Sequence, residues 1–248
     1  MLDVLFQEAN FKQVLSGLRT DTTQLVTGIA GSARSSLLAG IAIDKERPTI
    51  IFTSNLHQAN QLHADLRVYY SEEKIFVYNV NDMIHAQQSV ASPEEQAERI
   101  ETLEFLLSKK PGIIIIPVAG ARRLLPPKEI YQDAHLIVNT EKDVDLDELI
   151  GKLVSIGYVR EQIVAKPGEF SVRGGIIDVY PLTEKYPVRI ELFDVEVDSM
   201  RSFNADTQRS IAQLDEVRIP PVTETILPIE LWDKATNRIK AAYEKTNS

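Results

Sequence analysis

The sequence contains no cysteine. That excludes disulfides and thiolate metal sites, and it fits a reducing compartment. No apolar run approaches the roughly 18 to 20 residues that span a bilayer. Met1-Leu2-Asp3-Val4 has no basic stretch leading into an apolar one, so no secretory leader is expected and a cytoplasmic location is. Positive charge is in short supply: 27 Lys and Arg stand against 36 Asp and Glu, for a net charge of −9. A domain that holds nucleic acid by itself normally shows a basic face, so sustained binding to a phosphate backbone is not expected of this chain. Histidine occurs only four times, and His57 and His63 are six apart rather than the four that would put a metal pair on one helix face. There is no H-E-x-x-H and no G-x-S-x-G. Asp143, Asp145, Asp147 and Glu148 lack the glycine and the terminal-glutamate spacing of a calcium loop, and helix capping accounts for Asp145 and Glu148. Neither a metal nor a cofactor nor a catalytic residue is expected.

What is present is a chain of 248 residues, 44% of them hydrophobic, enough for one large domain or two smaller ones. Near its start, Gly28-Ile29-Ala30-Gly31-Ser32-Ala33-Arg34-Ser35 has the frame of a phosphate-binding loop, G-x-x-x-x-G-K-[ST]. Gly28 fills the first position and Ser35 the last. Ala33 replaces the second glycine, adding a Cβ where backbone must approach phosphate. Arg34 replaces the lysine, and its planar fork is not interchangeable with a compact ammonium. The loop is therefore read as degenerate, with no working nucleotide site at Gly28, Gly31, Ala33, Arg34 and Ser35. A weak anion site at the following helix N-terminus is compatible with this; hydrolysis is not expected.

Around this loop the pattern is α/β. Residues 24–27 read as a short strand running into Gly28, and residues 35–43 as a helix. Thr49 to Thr53 has the short, β-branched pattern of a buried strand. Ser54 or Asn55 caps a helix bearing Leu56, Ala59, Leu62, Leu66 and Tyr69, and residues 75–78 form another strand. Ser92-Pro93-Glu94-Glu95 combines a cap, a first-turn proline and a capping-box glutamate. Ile113 to Ile116 reads as a central parallel strand covered on both faces. Strands alternating with helices predict a mostly parallel sheet.

Beyond Pro126-Pro127 the character changes. Leu136 to Asn139 reads as a strand. Asp145 opens a helix with Leu149, Leu153 and Ile156 on one face, and Gly157 stops it. Short strands with tight turns fill residues 159–203, as in a separate α+β module. From Ile219-Pro220-Pro221 a linker is expected, and then a helix from Pro228 with Leu231, Ala235, Ile239 and Ala242 on one face.

Two strands of the module carry an unusual polar face. In Val188-Arg189-Ile190-Glu191-Leu192-Phe193, period two puts Val188, Ile190 and Leu192 toward a core and Arg189, Glu191 and Phe193 on the other side. A phenylalanine beside Arg and Glu either folds over the strand end to cover a loop or belongs to a contact patch, since exposed aromatic and Arg residues together have hot-spot composition. In Phe170-Ser171-Val172-Arg173 the same alternation puts Arg173 on the polar side. Gly174-Gly175 then permits a tight turn or bulge. If the strands share a sheet, Arg173, Arg189 and Phe193 can form one surface.

The run from Gly168 to Pro181, with Val188 to Asp194 and Val197-Asp198-Ser199, resembles the UvrA-binding domain shared by the nucleotide-excision-repair helicase UvrB and the transcription-repair coupling factor Mfd. Val90-Ala91-Ser92-Pro93-Glu94 and Arg122-Arg123-Leu124-Leu125-Pro126-Pro127 fit the same resemblance, which covers essentially the whole chain. The degenerate loop is similar to that of the N-terminal UvrB-homology region of coupling factors of Gram-positive type, whereas UvrB keeps an intact loop. The resemblance implies a RecA-like, P-loop-derived half domain over residues 1–130. It implies an inserted α+β UvrA-binding domain over 131–212, and a linker with the start of a further domain over 213–248. It implies UvrA as partner, through two arginines and a phenylalanine that fall on Arg173, Arg189 and Phe193. RNA polymerase and DNA are engaged, in that family, by later domains. The implied function is a non-catalytic module that recruits UvrA. A UvrB-like ATPase or helicase fragment is the alternative.

Overall fold

A computed structural model describes residues 2–19, 22–80, 92–226 and 232–246. Val90, Ala91, Pro228 and Leu231, named above, lie outside them. The chain divides into two units, Met1–Arg123 and Leu124–Ser248.

In the first unit, helices α1 (Leu2–Gln7) and α2 (Ala9–Gly17) precede α3 (Ser32–Lys45), β1 (Pro48–Thr53), α4 (Leu56–Leu66), β2 (Ile75–Val77), α5 (Pro93–Ser108), β3 (Gly112–Pro117) and the short α6 (Val118–Ala121). The strands form a parallel sheet in the order β1-β3-β2. β3 is the central strand, and Ile113, Ile114 and Ile115 are fully buried, as an uninterrupted apolar run requires when both faces are covered. Local chemistry sets the helix starts. Asn55 accepts the Gln58 N–H at 2.8 Å. Ser92 and Glu95 close a reciprocal capping box ahead of Pro93. Ala39 and Ala42 of α3 and Ala59, Leu62 and Leu66 of α4 pack with Ile75, Ile113 and Ile115.

One expected element is missing. Residues 24–27 pair with no strand, and Leu25 is 90% exposed. Two apolar residues in Gln-Leu-Val-Thr suggest a strand only if a neighbour supplies the ladder, and the three-stranded sheet does not include this segment.

In the second unit, α7 (Lys128–Asp133), β4 (Leu136–Asn139) and α8 (Leu146–Ser155) lead into strands β5 (Val159–Arg160), β6 (Glu169–Arg173), β7 (Ile176–Val179), β8 (Val188–Phe193), β9 (Glu196–Phe203), β10 (Ser210–Gln213) and β11 (Glu216–Ile219). Helix α9 (Trp232–Thr246) follows. Six strands form one sheet in the order β10-β9-β8-β7-β6-β5, and β11 closes antiparallel onto β4 as a separate pair. Asp145 caps α8 by accepting the Glu148 N–H at 2.8 Å. Leu149, Leu153 and Ile156 then cover Phe170, Ile177, Val179, Val188, Ile190 and Met200, so one face of the sheet is core.

The expected linker from Ile219 begins as packed chain instead. Pro220 and Pro221 are buried, the Tyr158 hydroxyl donates to the Pro220 carbonyl at 3.0 Å, and the Val222 N–H reaches the Ile156 carbonyl at 2.9 Å. Prolines cannot donate to a ladder, but their carbonyls can anchor a strap. In α9, Ile239 and Tyr243 are exposed.

The β8–β9 hairpin contains a bulge. Glu191 pairs with Ser199 while Leu192 pairs with Val197, so Asp198 is the extra residue and lies on β9. Alternation along β8 is undisturbed.

Candidate functional site

The face of the six-stranded sheet opposite the core carries the three residues singled out by alternation. Arg173 ends β6 and pairs with Ile176 across a two-residue turn, Gly174-Gly175. Gly174 has φ +60 and Gly175 does not lie in the positive region, the signature of a turn that wants glycine first. Gly175 serves a different need. A Cβ there would lie 2.6 Å from the Leu192 carbonyl oxygen, and the Leu192 N–H donates to the Gly175 carbonyl at 2.8 Å. The missing side chain lets the β6–β7 turn press against β8 one residue before Phe193.

On β8, Val188 and Ile190 are buried in the core and Leu192 packs against it. Phe193 is 76% exposed beside the turn at Asp194, itself at φ 59. Most of the ring is open to solvent.

The arginines meet at Asp178, which register places directly opposite Arg189. Asp178 is 2% exposed. Arg189 forks onto it, Nε to Oδ1 at 2.6 Å and Nη2 to Oδ2 at 2.8 Å, and Arg173 Nη2 reaches Oδ2 at 2.7 Å. Arg189 Nη2 also donates to Gln208 Oε1 at 2.9 Å, and its guanidinium lies 4.5 Å from the centroid of the Phe203 ring. Gln208 adopts φ 57 in the β9–β10 loop, held by its N–H on the Asn204 carbonyl and its Nε2 on the Ala205 carbonyl. The hydrogen bonds to Asp178 push the Arg189 pKa above its ordinary value, against the opposing effect of burial. The polar face is thus less open than alternation alone implies. The Arg189 side chain is 14% exposed, against 46% for Arg173.

A second network lies alongside. Arg201 donates to Glu191 through Nη2 at 2.6 Å and Nη1 at 3.0 Å, and the Ser199 hydroxyl donates to it at 2.8 Å. The bonds from Arg201 first, then Ser199, hold the Glu191 carboxyl below its usual pKa. Asp178, Arg201, Phe203 and Gln208 were not singled out by sequence. One signal for Asp178 was available: a carboxylate interrupting Ile176-Ile177-Asp178-Val179 on the parity that meets Arg189.

The loop at Gly28–Ser35 has a different character. Gly28 (φ 78) and Gly31 (φ 57) are left-handed, with open space where a Cβ would stand. Ala33 is already inside α3 and Arg34 is exposed. Ser35 is fully buried with its hydroxyl 3.4 Å from Asp65 Oδ2. Among the described residues no three His, Asp or Glu gather as a metal site, and no helix is long and apolar enough to cross a membrane.

Residues 136–225 match the family model of the UvrB interaction domain. That span holds Arg173, Asp178, Arg189 and Phe193, and the resemblance read from Gly168 to Ser199 is borne out. The match also runs past β10 to include β11 and the buried Pro220 and Pro221. The chain is 42% identical over 231 residues, 93% of its length, to the transcription-repair-coupling factor of Bacillus subtilis (strain 168). It is 37% identical over 246 residues, 99% of its length, to that of Staphylococcus aureus (strain USA300), and 39% identical over 222 residues, 90% of its length, to that of Staphylococcus haemolyticus. These alignments cover 20%, 21% and 19% of the relatives, so the chain spans about a fifth of their length.

Proposed function

We propose that this chain is a non-catalytic module of a transcription-coupled DNA repair factor, and that its UvrB interaction domain recruits UvrA. The observation that carries the proposal is the position of Arg173, Arg189 and Phe193 within the matched span, the arginines joined at Asp178 and Phe193 exposed beside the turn at Asp194. Guanidinium N–H groups left over from the Asp178 contacts suit carboxylates of a partner, and Phe193 offers apolar area at low entropic cost.

Residues 1–130 are proposed as a degenerate RecA-like half domain, 131–212 as the inserted UvrA-binding domain, and 213–248 as a linker and the start of a further domain. Three parallel strands between helices support the first assignment. Ala33 and Arg34, with the Ser35 hydroxyl turned to Asp65, support a loop without nucleotide chemistry. RNA polymerase and DNA would be engaged by other parts of the full-length protein, an ATP-dependent DNA translocase in the cytoplasm.

The test is UvrA binding to the wild-type chain and to its Arg173→Ala, Arg189→Ala and Phe193→Ala variants. Each substitution is expected to cost about 1–3 kcal/mol of binding. Wild-type affinity in all three would overturn the residue assignment, and no binding by the parent chain would overturn the function. The ATPase alternative requires Mg·ATP turnover that Arg34→Ala removes.

A further inference from the structure

We infer that Asp178 is the positioning residue of the UvrA-contacting face: it holds the Arg189 guanidinium in one orientation and tethers Arg173 from the same oxygen. The inference rests on the reading of Arg173, Arg189 and Phe193 as partner contacts. Asp178 is too deeply buried to touch a partner, with its side chain 3% exposed. Any effect it has on binding therefore passes through the arginines.

The hydrogen-bond inventory divides the work between them. A guanidinium has five N–H donors. Arg189 places Nε on Asp178 Oδ1 and Nη2 on both Asp178 Oδ2 and Gln208 Oε1, with Phe203 beneath. Only its Nη1 edge is left to face outward, and it is held on three sides by β7, β9 and the β9–β10 loop. Arg173 has one bond, to Oδ2, and its side chain is about half exposed. It can swing without uncovering the carboxylate, which keeps the Arg189 fork. Arg189 is thus a fixed platform and Arg173 a movable arm, both referenced to one buried charge. The carboxylate also separates two cations that would otherwise repel, and a single negative charge between two positive ones keeps a surplus positive charge at the surface for a partner's carboxylate.

The experiment uses the 248-residue chain with Asp178→Asn and Asp178→Glu, reading UvrA affinity by calorimetry and the Arg189 Nε–H resonance in the free protein. Asp178→Asn is expected to weaken UvrA binding about tenfold or more, as loss of a buried partner of an interface charge does. It is also expected to remove the shifted, slowly exchanging Nε–H signal, while the amides of Ile177, Val179 and Ile190 report an intact core. If Asp178→Asn does not fold, Asp178→Glu, which keeps the charge on a longer arm, carries the same expectation in weaker form. A folded variant with an unchanged Nε–H signal, or with affinity within about twofold of the parent, overturns the inference. If the parent chain itself fails to bind UvrA, the functional reading fails, and the Nε–H signal alone decides the role of Asp178.

Discussion

Arg189 and Asp178 stand in register on neighbouring strands and are joined by two hydrogen bonds of 2.6 and 2.8 Å. The carboxylate is buried and the guanidinium nearly so. The pair therefore contributes to the fold as well as to the surface, and the two contributions can be separated by experiment.

Arg189→Ala removes two of the three bonds to a buried carboxylate. Breaking such a pair from one side costs about 3 kcal/mol, so urea unfolding should show a clear loss of stability. Phe193→Ala removes an exposed ring and should change stability by less than about 0.5 kcal/mol. A Phe193→Ala protein that binds UvrA poorly yet unfolds like its parent isolates the contact. Equal destabilisation by the two substitutions would contradict this division.

Gly175→Ala drives a Cβ into the Leu192 carbonyl, a backbone atom that cannot step aside. The two hairpin tips would part, at a cost of about 2 kcal/mol. Gly174→Ala meets no neighbour and is penalised only by its φ of +60, about 1 kcal/mol. Thermal or urea unfolding of the pair should rank Gly175→Ala as the more damaging.

Glu191 gives the second unit an acid-sensitive element. Its folded pKa lies below the ordinary glutamate value because Arg201 and Ser199 donate to it. The stabilisation is complete above the unfolded-state pKa and is lost as pH falls through the depressed folded value. Glu191→Gln should flatten that part of the stability-against-pH curve by lowering stability at neutral pH, with little change in acid, where the parent has already lost the contribution. Salt should diminish the contribution, since the pair is partly solvated.

Asp145→Ala leaves the Glu148 N–H without its acceptor and should cost about 1 kcal/mol. Asp145→Ser should recover most of it. Because α8 covers the apolar side of the six-stranded sheet, this loss should appear in the unfolding of the whole unit, not as a fray at one helix end.

Most elements were legible because one rule dominated each. Four isoleucines at 113–116 can only be a strand covered on both sides, and Ser92, Pro93 and Glu95 can hardly be anything but a helix start. Alternation along Val188–Phe193 assigned every side chain to its face. Failures came where a segment depends on a distant partner. Leu25 and Val26 have strand character but no ladder to join. Pro220 and Pro221 look like a linker until the Tyr158 hydroxyl, 62 positions away, is seen to hold them. The candidate site was half legible. Alternation and the family resemblance picked out Arg173, Arg189 and Phe193, but the meeting of both arginines at Asp178 depends on cross-strand register, of which the break in the apolar run at Asp178 gives only the parity.

The bulge at Asp198 sets that register in a way residue identity does not. On its near side Val197 faces the core and Glu196 lies opposite Phe193; on its far side Met200 faces the core and Arg201 lies opposite Arg189. Odd-numbered positions change sides at that one residue. Deleting Asp198 would set Val197 beside Ser199, opposite Leu192 and Glu191, and leave a regular ladder with the same faces, whereas deleting a paired residue such as Met200 would turn either Ser199 or Arg201 inward. This surface is therefore written partly in counting, and single-residue insertions or deletions at the paired positions of β9 should be far less tolerated than substitutions there.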